Sequence, residues 1–125
     1  MLPAAARMRR SAEFGLAIDK GRRVGKPLLS AHYLARSDAA GPAHVGFIVS
    51  RAVGKAVVRN RVRRRLRHLA RGYVESLPGG SLLVLRAHPR AATASQADLA
   101  AELDLVLAAL LRPTRLRRQA GVVSQ

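Results

Sequence analysis

Between Val58 and Tyr73 the apolar residues recur every three or four positions: Val58, Val62, Leu66, Leu69 and Tyr73. At about 100° per residue they fall in one stripe, which predicts a helix with one face against a core. Asn60, Arg64, Arg67 and Arg71 fall on the opposite side. Arg59 and Arg65 flank the stripe, where their stems can lie on apolar surface while their heads reach out. Gly54 breaks the chain just before this helix. A second stripe of Leu99, Leu103, Val106, Leu107, Leu110 and Leu111 predicts a final helix. Ser95 is placed to cap it, with Asp98 three residues on, and Pro113 to stop it. Asp98 and Glu102, four apart, read as its solvated face.

The other elements are shorter. Ser11 is placed to cap a helix that runs to Lys20, with Glu13 near its positive end and Gly21 after its last residue. Phe14 and Ile18 share one face of it. Pro27–Ala35 reads as a strand, 37–42 as a turn-rich loop, and Ala43–Ser50 as a second strand with Val45, Phe47 and Val49 on one face. Leu77-Pro78-Gly79-Gly80 is a turn, and Ser81–Ala87 reads as a buried strand. The ends, 1–10 and 113–125, read as basic tails around a core of about 7–112. The expectation is one α/β or α+β domain over 1–125, in the order helix, strands, helix, strand, helix.

Charge changes the picture of the middle helix. The stretch Arg51–Arg71, RAVGKAVVRNRVRRRLRHLAR, holds eight arginines, one lysine and no acid. Like charges three or four residues apart repel, so a helix without compensation points to a polyanion that supplies it. The whole chain carries +16 with a pI near 12.0, which directs that expectation to nucleic acid.

Several chemistries are excluded. With no cysteine there are no disulfides, thiolate zinc sites or cysteine nucleophiles, and a reducing cytoplasm is the expected setting. No apolar run approaches the roughly 18 residues of a membrane span. The acids are scattered, the four histidines lack metal-ligand spacing, and there is no Walker loop. Phe14, Tyr33, Phe47 and Tyr73 are too few for a base-stacking platform. The residues alone reach a compact domain whose arginine-rich helix binds RNA or DNA backbone, without choosing between the two.

The segment Val45–Arg71, VGFIVSRAVGKAVVRNRVRRRLRHLAR, resembles the signature of the bacterial ribonuclease P protein family, close to V-G-[FL]-x-V-S-[KR]-K-V-G-x-A-V-x-R-N-R-x-[KR]-R-x-[LI]-R. The Arg59-Asn60-Arg61 triplet after Gly54-Lys55-Ala56-Val57 carries most of the match. Glu13-Phe14, Gly21-Arg22-Arg23-Val24, and a strand followed by Pro89 and a Leu-rich helix agree with it. The chain also departs from the pattern. Ala52 replaces a usual lysine, Ile18 a common second aromatic, His32 a strand aromatic, Ala70 a frequent Phe and Ser81 an acid. Arg86-Ala87 reverses the more common Ala-Arg order.

The resemblance implies an α+β fold, a two-layer α/β sandwich resembling domain 2 of ribosomal protein S5. Its order is α-β-β-β-α-β-α, with a left-handed βαβ crossover. It implies a subunit of an endoribonuclease that removes the 5′ leader of precursor tRNA, with catalysis by the RNA subunit and its Mg²⁺ and no catalytic residue on the protein. Arg51, Lys55, Arg59, Asn60, Arg61, Arg64, Arg65, Arg67 and Arg71 would bind the catalytic P RNA. Phe14, Ile18, Ser30 and His32 would bind the leader. P RNA and precursor tRNA are the expected partners, with no membrane and no DNA. The rival readings are a non-enzymatic structured-RNA-binding protein or RNA chaperone, and an amphipathic membrane-surface or DNA-binding helix.

Overall fold

In the computed structural model, residues 11–36 and 41–111 are described. The expected tails, the 37–40 part of the loop, the stop at Pro113 and the cap by the Ser11 side chain fall outside them. The elements are α1 (Ser11–Lys20), β1 (Arg22–Gly25), β2 (Leu29–Leu34), β3 (His44–Ile48), α2 (Ala56–Arg71), β4 (Leu82–Ala87) and α3 (Gln96–Leu111). Single 3₁₀ turns lie at Arg51–Val53, Val74–Ser76 and Pro89–Ala92. The order is the one the resemblance implies.

The four strands form one sheet in the order β1-β2-β4-β3. β2 pairs antiparallel with β1 and β4, and β3 pairs parallel with β4. The parallel pair is joined through α2. His88 N–H donates to Leu28 O, so β4 residues of its parity turn their amides toward β2 and their side chains toward α1. For a chain of L-residues this places β3 on the side that makes the β3–α2–β4 crossover left-handed, against the usual preference.

The main core lies between the sheet and the layer of α2 and α3. Leu29, Ala31, Tyr33, Val45, Leu83 and Leu85 meet Val62 and Leu66 of α2 and Leu99, Leu103, Val106, Leu107 and Leu110 of α3. Val58, Leu69 and Tyr73 pack at its border, as the stripe predicts. Losing a buried leucine such as Leu66 or Leu103 to alanine costs about 2–5 kcal/mol. On the opposite face α1 lays Ala17 and Phe14 over Leu82, Val84, Leu34 and Ile48. Glu13 fixes this helix to the sheet, accepting from His44 Nδ1 at 2.9 Å and lying 3.7 Å from Arg36.

Gly21 ends α1 where the backbone meets β2. A Cβ there would collide with the carbonyl oxygens of Ala17 and Tyr33. Gly54, with φ 155°, separates the Arg51–Val53 turn from α2 in a conformation that favours glycine.

The structure revises several expectations. β1 is an additional strand that the residue pattern left unplaced. The Pro27–Ala35 strand shortens to Leu29–Leu34, because Lys26 N–H donates to Leu29 O and places Pro27 in the hairpin turn. The Ala43–Ser50 strand shortens to His44–Ile48, followed by the 3₁₀ turn. β4 begins at Leu82, since Ser81 Oγ and N–H both bond back to Pro78 O. Ser95 caps α3, with Asp98 N–H on Ser95 Oγ at 3.0 Å. Glu102 is not a solvated residue: its carboxylate accepts the Leu28 amide at 3.0 Å and ties α3 to the β1–β2 turn.

Candidate nucleic-acid interface

α2 has no acid in its first turn and no side-chain cap. The arginines repel one another, and those near its N-terminal end also oppose its dipole. What holds the helix is tertiary: Val62, Leu66 and Ala70 are buried on its inner side. Its outer side is then free to carry charge.

The structure divides the predicted residues into two groups. Arg51, Lys55, Asn60, Arg61, Arg64 and Arg71 are exposed. Asn60 Oδ1 accepts from Arg63 Nη1 at 3.0 Å, which orients both side chains. Arg67 lies 6.0 Å over the Phe47 ring, a cation–π contact that holds its guanidinium beside the β3 edge. Val57, Asn60, Arg63, Arg64, Arg67 and His68 together line an open groove of about 730 Å³ along the helix.

Arg59 and Arg65 form the second group: both are half-buried, and each gives one guanidinium N–H to a protein carbonyl. Arg59 Nε donates to Gly54 O at 3.2 Å, and Arg65 Nη1 donates to Ala94 O at 3.0 Å. Both satisfy carbonyls at the borders of other elements. They hold the helix in place and add their charge to the surface.

A second polar surface lies on the α1 side of the sheet. The registers give two rows across it: Arg23–His32–Val84–Gly46 and Gly25–Ser30–Arg86–Ile48. Phe14 is partly buried and packs against the cluster of Ala17, Leu82 and Val84. Ile18, one turn on, is partly buried as well. Ser30 is fully buried, its Oγ 2.6 Å from His88 Nε2 and 3.5 Å from Arg23 Nη2. His32 is 7 % exposed, and its Nδ1 is buried without a partner. Burial first, then the charges of Arg23 and Arg86, push its pKa below the usual histidine value.

The chain matches the model of the family described as Ribonuclease P over residues 2–111. A ribonuclease P protein component of a Nocardioides species is 56 % identical over 108 residues, covering 86 % of this chain and 92 % of that one. That of Streptomyces avermitilis is 50 % identical over 118 residues, covering 89 % and 96 %. The chain belongs to the ribonuclease P protein family. The fold agrees. The ribonuclease P protein of Staphylococcus aureus superposes with a TM-score of 0.72 at 22 % identity, over 82 % of this chain and 93 % of that one. That of Thermotoga maritima superposes at 0.67 and 21 % identity, over 86 % and 96 %.

Ribonuclease P is a ribonucleoprotein endoribonuclease that processes tRNA, and this family supplies its protein component, so the chain has an RNA partner. No helix among the described residues is long and apolar enough to cross a membrane.

Residue-level reading missed Arg63, Val57 and His68 on the α2 side. The spacing of Arg63 from Asn60, three residues on a helix, is the signal that finds it. It also missed Arg23, Arg86 and His88 on the sheet side. Those depend on which strands pair and in which register, and a single sequence does not display that.

Proposed function

We propose that this ribonuclease P protein binds the catalytic P RNA through the outer face of α2 and the 5′ leader of precursor tRNA on the α1 side of the sheet. In doing so it assists the RNA in removing the leader by phosphodiester hydrolysis. The observation that carries the reading is that α2 exposes Arg61, Arg64 and Arg71 on its solvent side with no carboxylate anywhere in the helix. Arg61, Arg64 and Arg71 face outward there, with Arg51 and Lys55 just before them. Such a surface lowers the repulsion between two RNA chains and releases their counterions.

The second surface supports the leader assignment. It combines α1 and the sheet, with the partly exposed Phe14 ring on α1 and the exposed Arg23 and Arg86 beside the nearly buried His32, while Ser30 lies beneath, bonded to His88. An extended single strand fits such a surface better than a duplex does. Holding the leader gives the enzyme a reason to prefer precursor over mature tRNA.

Mg²⁺ belongs to the RNA in this reading. It prefers phosphate oxygens and its own waters. Among the described residues no three His, Asp or Glu side chains stand close enough to hold an ion. The protein favours Mg²⁺ binding indirectly, by relieving charge repulsion that the ion would otherwise have to screen. A chain without cysteine suits the reducing cytoplasm, where we place this activity.

Reconstitution tests the proposal. Protein, P RNA and precursor tRNA are mixed at low Mg²⁺, and leader release is followed. The expected result is cleavage that requires the P RNA and that the protein stimulates. Equal cleavage with and without the protein would contradict it.

A further inference from the structure

The reversed pair Arg86-Ala87 has a geometric consequence. Side chains alternate between the two faces of a strand, so moving an arginine by one residue moves it to the other face. In β4, Ala87 is 4 % exposed and packs into the main core between sheet and helices. Arg86 shares the parity of Leu82 and Val84, which lie under α1. This chain therefore carries an arginine on the α1 side.

Its neighbours there are distinctive. Arg86 is directly opposite Ser30, and Arg23 is directly opposite His32, on strands either side of β2. Burial first, and then the charges of both guanidiniums, disfavour protonation of the His32 ring. Among the described residues no carboxylate pairs with either arginine, since the ion pairs are those of Glu13 with Arg36 and His44. Two exposed cations thus flank a nearly buried histidine without compensation, beside the Ser30–His88 pair. Like charges gathered without a counter-charge destabilise the free protein unless an anion joins them.

We propose that Arg23 and Arg86 form a seat for one phosphodiester group of a single-stranded RNA that crosses the sheet over His32. The inference rests on the reading that the leader lies on this side, and it assigns the residues that hold the leader's backbone there. The guanidiniums take the non-bridging oxygens, as their planar forks suit. Neutral His32 fills the floor between them and adds no third charge. The seat fixes where the strand crosses, and Phe14 contacts it further along.

The test uses the protein reconstituted with P RNA. Affinities for precursor tRNA and for mature tRNA are measured over a range of salt for the wild type, for Arg23→Gln with Arg86→Gln, and for Phe14→Ala. Both arginines are exposed, so the double variant folds; a thermal melt checks this. The double variant is expected to bind precursor about tenfold more weakly and mature tRNA equally well. Its salt slope for precursor should fall by about 0.7, the value for one single-strand phosphate contact, since the pair holds one phosphate. A methylphosphonate at one leader linkage should lower wild-type affinity similarly and have no effect on the double variant. Unchanged precursor affinity in the double variant while Phe14→Ala loses selectivity overturns the seat but leaves the leader on this face. Unchanged selectivity in both variants overturns the seat and the leader assignment together. Equal losses for precursor and mature tRNA overturn the seat by placing the arginines against the P RNA.

Discussion

Arg65 Nη1 donates to Ala94 O at 3.0 Å, across the junction between α2 and the segment that leads into α3. An arginine in the middle of an RNA-binding signature thus satisfies a protein carbonyl. The two helices that close the main core are tied at this point, next to the Ser95 cap. Arg65→Ala is expected to cost about 1–2 kcal/mol of stability, because a partly buried carbonyl loses its charged donor. Arg64→Ala, on the exposed side, should stay within about 0.5 kcal/mol. Urea denaturation of the two variants separates the roles. Equal stabilities would contradict the tie.

The exposed arginines are read best by salt. Arg61→Ala combined with Arg64→Ala removes two outward cations that anchor no other element. Log K for P RNA should then fall less steeply with log salt, by about 1.4–1.8 units of slope. Arg67→Ala should reduce the slope and also loosen packing at Phe47, over whose ring the guanidinium lies. A slope unchanged in the double variant would remove α2 from the interface.

His32 predicts a pH dependence of stability. Burial and the two nearby arginines lower its folded pKa, while the unfolded ring titrates near 6.5. Around and below pH 6.5 the unfolded chain therefore binds more protons than the folded one. Stability is fully present above that pH and is lost as pH falls toward the lowered folded pKa. His32→Phe removes this component. The loss in denaturation midpoint between pH 7.5 and pH 5.5 should be smaller in the variant than in the wild type; an identical loss would reject the assignment.

Phe14 is both packed and open: it lies against Ala17, Leu82 and Val84 and stays partly exposed. Phe14→Ala should cost less than the about 3–5 kcal/mol of a fully buried ring. The folded variant should lose preference for precursor over mature tRNA. Ile18→Ala, on the same face, tests whether the neighbouring side chain shares the contact. Its effect on selectivity should be the smaller, because an aliphatic side chain cannot stack on a base.

The long helices were legible because each signals itself locally. α3 has a cap at Ser95 and five buried apolar residues at helical spacing. α2 has its stripe and a glycine before it. β1 was not legible from residue pattern: its four residues, Arg-Arg-Val-Gly, are partly buried or exposed, and they become a strand only by pairing with β2. The outer face of α2 could be read from periodicity alone. The bonds of Arg59 and Arg65 to protein carbonyls could not, because their acceptors, Gly54 O and Ala94 O, are placed by the 3₁₀ turn and by the approach of α3. Glu102 escaped for the same reason, its partner being an amide 74 residues away. The sheet-side residues escaped because a site built across three strands exists only once the register is set.

The division of labour between the two faces is open to direct measurement. The chain has no cysteine, so a single one can carry a photo-crosslinking probe. Arg64→Cys places it on the outer face of α2, and Ile18→Cys places it on α1 across the sheet. Each labelled protein is assembled with P RNA and a precursor tRNA and then irradiated. The probe at position 64 is expected to join P RNA, and the probe at position 18 the 5′ leader. Crosslinks from both positions to P RNA alone, or the reverse assignment, would contradict this division of labour.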